Sequence, residues 1–160
     1  MSTLSIRPGL PATAAADTEI VSAQRRAMFR DMGHTDDPQL DAMTARFRPW
    51  VAQRLASGEY LAWFLEDTAG EAVAGLGLWL MDWPPHMVAP GLPRANILNV
   101  YTRPDHRRRG LARRLMDEAL AWCRQHGIRT VILHASDEGR ALYSALGFQP
   151  TNEMRITLEA

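Results

Sequence analysis

The 160-residue sequence predicts a mixed α/β fold, with helices laid against a mostly antiparallel sheet. Three observations carry that prediction. A hairpin signature occupies the middle of the chain. A strongly amphipathic helix follows a strand in the second half. The elements as a whole run strand, two helices, three strands, helix, strand, helix, strand. No repeat, low-complexity tract or linker interrupts this order, so residues 1–160 are expected to form one domain.

Each element follows from local chemistry. LSIR (4–7) alternates and stops at Pro8-Gly9, which predicts a short strand. Asp17 to Met32 has helical spacing, with Ile20, Ala23, Ala27 and Met28 on one face and Gly33 to end it. After Pro38, the residues Leu40, Met43, Phe47, Trp50, Val51 and Leu55 keep a helical period up to Ser57-Gly58, and Pro49 predicts a kink or break within it. YLAWFLED (60–67) and EAVAGLGLWLMD (71–82) flank Thr68-Ala69-Gly70 and read as an antiparallel hairpin. Residues 83–95 hold four prolines and a glycine, a loop long enough to be functional.

NILNVYTR (96–103) reads as a strand that ends before Pro104. A helix from about Gly110 to His126 follows. It carries one apolar row of Leu111, Leu115, Ala119 and Trp122, and an adjacent row of Ala112, Met116, Leu120 and Cys123. Gly127 is its expected stop. TVILHA (130–135) reads as a buried strand, Asp137 to Leu146 as a short helix stopped by Gly147, and EMRITLE (153–159) as a closing strand.

Composition narrows the chemistry. Acids and bases balance at 18 each, which argues against non-specific nucleic-acid binding. All the basic residues are arginine, so a Schiff-base lysine and a lysine-dependent phosphate loop are excluded. The single cysteine, Cys123, precludes an internal disulfide and a cysteine-built zinc site. It reads as an inert core thiol in a reducing, cytoplasmic setting. No metal is expected. The N-terminal residues lack a secretory pattern, and no apolar stretch approaches the roughly 18 residues of a membrane span.

One stretch concentrates the charge. DHRRRGLARR (105–114) places five arginines between a strand end and a helix start. A helix's first turn leaves N–H groups unpaired, and its dipole favours an anion. Gly110 and Ala112 let a bulky anion approach the backbone, and arginine forks add charge-assisted bonds. The position suits a diphosphate. The Walker pattern and the three-glycine dinucleotide fingerprint both fail here, which leaves Arg107, Gly110 and Ala112 as the match to Arg/Gln-x-x-Gly-x-Gly/Ala.

With its surroundings, ILNVYTRPDHRRRGLARRLMDEALAWCRQHG and then SDEGRALYSALGF, this stretch resembles the GNAT superfamily of N-acetyltransferases, specifically over about residues 96–150. The resemblance implies the acyl-CoA N-acyltransferase fold and acetyl-CoA as cosubstrate. It assigns the cradle amides to Arg108, Arg109, Gly110, Leu111, Ala112 and Arg113. Val100, Tyr101 and Thr102 fall on the strand that pairs with the pantetheine arm and splays from its neighbour. Tyr143 matches the tyrosine that commonly protonates the departing thiolate. Ser136 stands where the family often has a cofactor-contacting asparagine, and Gly139 where it often has alanine.

Three further residues are candidates for the acceptor side. Asn99 either orients a substrate amine or water, or satisfies a strand splay. His134 is either structural or able to reach the reaction centre, and Trp83 beside Pro84-Pro85 is the tryptophan expected near the acceptor pocket. The expected activity is direct transfer of an acetyl group to an amine in a ternary complex, with no nucleic-acid or membrane partner and a homodimer allowed. A non-catalytic acyl-CoA sensor is the alternative. The acceptor and the general base stay open.

Overall fold

The computed structural model describes residues 4–88, 91 and 93–158. In chain order the elements are β1 (Ser5–Pro8), α1 (Ala14–Asp31), α2 (Asp37–Ser57), β2 (Tyr60–Glu66), β3 (Ala72–Met81), β4 (Arg94–Thr102), α3 (Leu111–Gln125), β5 (Val131–Leu133) and α4 (Asp137–Ala145), with 3-10 turns at Pro11–Thr13 and Pro104–His106. The sheet order is β1-β2-β3-β4-β5. All neighbours are antiparallel except β4 and β5, as a helical crossover through α3 requires of a parallel pair. The expected mixed, mostly antiparallel sheet flanked by helices is therefore observed.

Side chains alternate across the strands and so build two cores. On one face Val73, Leu76, Leu78, Ala95 and Ile97 pack with Leu111, Leu115, Met116, Ala119 and Cys123, the two rows expected of α3. On the other face Tyr60, Ala62 and Phe64 pack with Val21 of α1 and with Val51 and Leu55 of α2. The β2–β3 hairpin turns where predicted, with Gly70 at φ 80° and the Asp67 carboxylate accepting from the Ala69 and Glu71 amides.

The structure corrects five expectations. First, of the kink or break expected at Pro49, the break does not occur: α2 is one helix across it. Proline removes one helical hydrogen bond there, but Phe47 before it, and Trp50 with buried Val51 and Leu55 after it, hold both halves to the same core. Second, the buried face of α1 is not Ile20, Ala23, Ala27 and Met28. It is Ala14, Asp17, Thr18, Val21, Ser22 and Gln24, mostly polar: Asp17 pairs with Arg7 of β1, Thr18 bonds back to Ala14 O, Gln24 lies against Gly75 of β3, and of the expected face Ile20 packs half-buried beside them. Third, 130–135 is not a fully buried strand. β5 spans three half-buried residues, since it is an edge strand with a partner on one side only.

Fourth, the closing strand expected at 153–159 does not form among the described residues: residues 153–158 form no ladder, and Met154, Ile156 and Leu158 are 93, 80 and 78% exposed. Alternation signals two unlike faces, but a strand also needs a partner, and β5 offers only a short edge. Fifth, β4 starts two residues before the expected position, which shortens the preceding loop, and residues 89, 90 and 92 of that loop lie outside the described ones.

Candidate active site

The site is organised by two irregularities around β4. Its pairing with β5 covers only Ala95, Asn96 and Ile97. From Leu98 to Thr102 the β5-side edge of β4 has no strand beside it among the described residues. In the same stretch, Asn99 and Val100 face the single residue Leu76 of β3, which makes a bulge. Asn99 takes φ 56°, a left-handed conformation that asparagine tolerates better than most side chains. The bulge turns both Leu98 and Asn99 toward α1 and α2, while Val100 packs into the α3 core.

A buried polar cluster meets Asn99 on that face. Its Nδ2 donates to the Tyr60 hydroxyl at 2.8 Å, and its Oδ1 accepts from Arg25 Nη1 at 2.6 Å. Burial pushes the Tyr60 pKa well above its ordinary value, so the hydroxyl stays neutral. Burial lowers the Arg25 pKa, with Tyr60 opposing, yet an arginine has ample range to remain charged. The Arg25 guanidinium lies 4.9 Å from the Phe29 ring centroid and 4.6 Å from that of Phe47. Two glycines of β3 make room for the cluster. A Cβ on Gly75 would collide with Gln24 Oε1, and one on Gly77 with the Tyr60 hydroxyl.

The second irregularity is the start of α3. Gly110 caps the helix at φ 72° and supplies no side-chain hydrogen bond. The main-chain N–H groups of residues 108–113 have no hydrogen-bond partner among the described residues, and the first helical bond is Arg114 N–H to Gly110 O at 3.1 Å. Arg108, Arg109 and Gly110 are exposed and Leu111 is buried, so the row of amides lies open at the surface above the α3 core. A Cβ on Gly110 would meet nothing within 4 Å, which means the space outside the turn is free. Such a concave run of unpaired donors at a positive helix end fits a diphosphate group.

The arginines divide their roles. Arg107 is clamped by Asp31 of α1 and by Thr102 O, which ties α1 to the end of β4. Arg109 bonds to Asp105 O and Arg113 approaches Asp117. Arg108 makes no side-chain hydrogen bond or ion pair among the described residues, and its φ of 59° turns the chain into the cradle. Arg103 and His106 hold the Asp105 carboxyl well below the usual carboxylate range, bracing the turn between β4 and α3. Tyr101 is half-buried, and burial raises its pKa.

The remaining predicted residues are scattered. Tyr143 sits on α4 against the α3-side core, in edge contact with Phe148, and burial raises its pKa. Its ring leans on Gly139, where a Cβ would lie 2.6 Å from Tyr143 Cε2. Ser136 is the N-cap of α4, its Oγ accepting from Gly139 N–H at 3.2 Å. His134 is exposed and lies 3.8 Å from Glu153. Trp83 stacks under Arg94 at 4.1 Å and lines a hollow with Arg54, Trp79 and Asp82. Arg94, over Trp83, pairs with Met81 and Leu98 with Gly77, so the backbone of Arg94 lies about 13 Å along β4 from Leu98. Sequence reading missed Arg25, Gln24, Tyr60, Gly75 and Gly77. The available signal was two glycines spaced by two in an otherwise apolar strand, which marks a close approach.

A sheet with a bulged, parting fourth strand, followed by a helix start with unpaired amides, defines the acyl-CoA N-acyltransferase class of fold. The chain belongs to the acetyltransferase (GNAT) family, whose model matches residues 20–148. Acetyl-CoA-dependent acyl transfer is the chemistry of that family. A GCN5-related N-acetyltransferase from Ralstonia eutropha JMP134 is 39% identical, with 98% of this chain and 99% of that one covered and a TM-score of 0.86. A predicted acetyltransferase from Clostridium acetobutylicum, solved with acetyl-CoA, is 22% identical, with 98% and 96% covered and a TM-score of 0.84. The aminoglycoside N-acetyltransferase AAC(6')-Iy in complex with CoA is 19% identical, with 99% and 96% covered and a TM-score of 0.67. No curated protein sequence matches the chain. No helix among the described residues is long and apolar enough to cross a membrane.

Proposed function

We propose that the chain transfers an acetyl group from acetyl-CoA to an amine by direct attack within a ternary complex. The observation that carries this reading is the run of unpartnered amides at 108–113, directly after a strand whose outer edge is free from Leu98 onward. The amides, with Arg108, receive the diphosphate. The free edge at Val100, Tyr101 and Thr102 pairs with the amide-bearing pantetheine arm, and its N–H groups stabilise the carbonyl oxygen as negative charge builds there. These residues fit the cosubstrate in charge and in hydrogen-bonding sense.

The acceptor arrives as an ammonium and loses one proton to water, since Arg25, Asn99 and Tyr60 at the bulge supply no base at neutral pH. The neutral nitrogen attacks the thioester carbon, a C–N bond forms, and the carbonyl electron pair moves to oxygen. That pair returns as the C–S bond breaks, and the nitrogen gives up its second proton. The sulfur departs as thiolate and is protonated. The products are the amide, the coenzyme A thiol and one proton in solution. Tyr143 supports the last step, because its raised pKa keeps the O–H intact at neutral pH for donation to sulfur.

The test is thiol release from acetyl-CoA with pooled amines, run beside calorimetric titration. Tyr143→Phe is expected to lower kcat by about a hundredfold and leave the CoA dissociation constant within about twofold. Unchanged kcat removes Tyr143 from the reaction. Binding with no turnover of any amine selects a sensor instead of an enzyme, and absence of binding ends the reading altogether.

A further inference from the structure

We infer that the acceptor is an amine carrying a carboxylate, and that the carboxylate is held by Arg25. The inference rests on the proposed acetyl transfer and deepens it by naming the class of acceptor. Three observations support it.

Arg25 is a half-buried cation with no anionic partner among the described residues. Its neighbours on α1 are paired: Arg26 with Asp37 and Asp41, and Arg30 with Asp37. Arg25 has one hydrogen bond, to a neutral side-chain oxygen, and its Nε is buried without any partner. Burying a charge is costly unless an anion compensates it, so the site is incomplete as the protein alone supplies it.

The guanidinium is also oriented. Phe29 and Phe47 lie near it, at 4.9 and 4.6 Å to their centroids. Stacked aromatic rings leave the in-plane N–H donors as the polar outlet, and the edge-on geometry of those donors matches a planar carboxylate. A phosphate dianion calls for more positive charge than this single cation supplies.

Finally, the cation stands beside the bulge of β4, where the proposed transfer takes place. Arg25 reaches Asn99, the bulged residue beside which β4 loses its β5 partner. The diphosphate of the cosubstrate belongs to the α3 start, so the anion at Arg25 is a separate one. An α-amino acid, or another amine with a carboxylate a few bonds away, brings its nitrogen to the parting of β4 and β5 when its carboxylate meets Arg25. The proton and bond changes are those already described, since the carboxylate takes no part in them.

The experiment compares thiol release with the α-amino acids against their primary amides, each pair differing only in the carboxylate. At least one acid is expected to exceed its amide in kcat/KM by about tenfold or more, mainly through KM, which corresponds to about 1.4 kcal/mol. Arg25→Gln is expected to abolish that ratio, and Arg25→Lys to retain part of it. If Arg25→Gln does not fold, the wild-type ratio and Arg25→Lys decide. Amides used as well as acids, no acid used at all, or a ratio unchanged in the variants would each overturn the inference. Equal losses on acids and amides assign Arg25 to the carbonyl oxygen or to structure and overturn it too. Calorimetric binding of acetyl-CoA with turnover of neutral amines alone sinks only this inference. Failure to bind acetyl-CoA sinks the acetyl-transfer reading beneath it.

Discussion

Replacing Gly77 by alanine tests whether the hollow in the sheet is required. Gly77 lies on β3 opposite Leu98, and its face is pressed by the Tyr60 phenol. A Cβ there would overlap Tyr60 Oη and Cζ, and even Cε1 would be only 3.0 Å away. The phenol must retreat by roughly 1–2 Å to restore ordinary contact distances. It has nowhere soft to go, since Tyr60 is 1% exposed and Trp50 packs edge-on against it at 6.2 Å. Overpacking of this kind costs about 1–3 kcal/mol. The retreat also breaks the bond from Asn99 Nδ2, leaving a buried donor unpaired at about 1–3 kcal/mol more. The expected total is about 2–6 kcal/mol, against a typical stability of about 5–15 kcal/mol. In urea that moves the midpoint down by roughly 1–3 M at a slope of about 2 kcal/mol/M. Gly58→Ala is the control. Gly58 has φ 78° with nothing within 4 Å of an added Cβ, so it carries only the left-handed strain of about 1–2 kcal/mol. If Gly77→Ala unfolds no earlier than Gly58→Ala, the packing around Tyr60 and Asn99 is not as described.

Gly139→Ala is expected to displace the Tyr143 ring, 2.6 Å from the new methyl, and lower kcat, while stability holds or rises because alanine gains about 1 kcal/mol of helix propensity; kcat and the melting temperature measured together check both halves. Asp17→Ala removes a carboxylate with 0% side-chain exposure that holds Arg7 at 2.9 Å and Thr13 at 2.6 Å, and should cost about 2–4 kcal/mol on thermal unfolding. Asp31→Ala breaks a pair with Arg107 whose side chains are 33 and 41% exposed, and the same measurement should show a loss below about 1 kcal/mol. Burial holds the Cys123 thiol up at about 11, so a thiol reagent at pH 8 should label it no faster than the protein unfolds. Between about 9 and 11 the unfolded chain has released that proton and the native one has kept it, so this contribution to stability is complete below pH 9 and falls as pH rises through that window, as urea midpoints across it will report.

How much was legible beforehand depended on the range of the interaction concerned. The two apolar rows of α3, the hairpin at Gly70 and the helix start at Gly110 are written in neighbouring residues, and each appears as read. These features need only the helical period of 3.6, the strand period of 2 and the permissiveness of glycine. The polar face of α1 was invisible for the opposite reason. Asp17, Gln24 and Arg25 look like a solvated face until their partners Arg7, Gly75 and Asn99 are brought against them by the sheet. The closing strand failed similarly, because alternation at Met154, Ile156 and Leu158 names two faces and supplies no neighbour.

The sequence by itself determined the element order as far as α4, the α3 core and the exposed amides at 108–113, since all of these arise within a few residues of chain. Only the tertiary structure decided that β4 bulges at Asn99, that Arg107 is spent on Asp31, and that a cation with no anionic partner among the described residues stands at the bulge. A buried charge or a missing strand partner is a property of what lies across space, and the one-dimensional pattern holds no record of that distance.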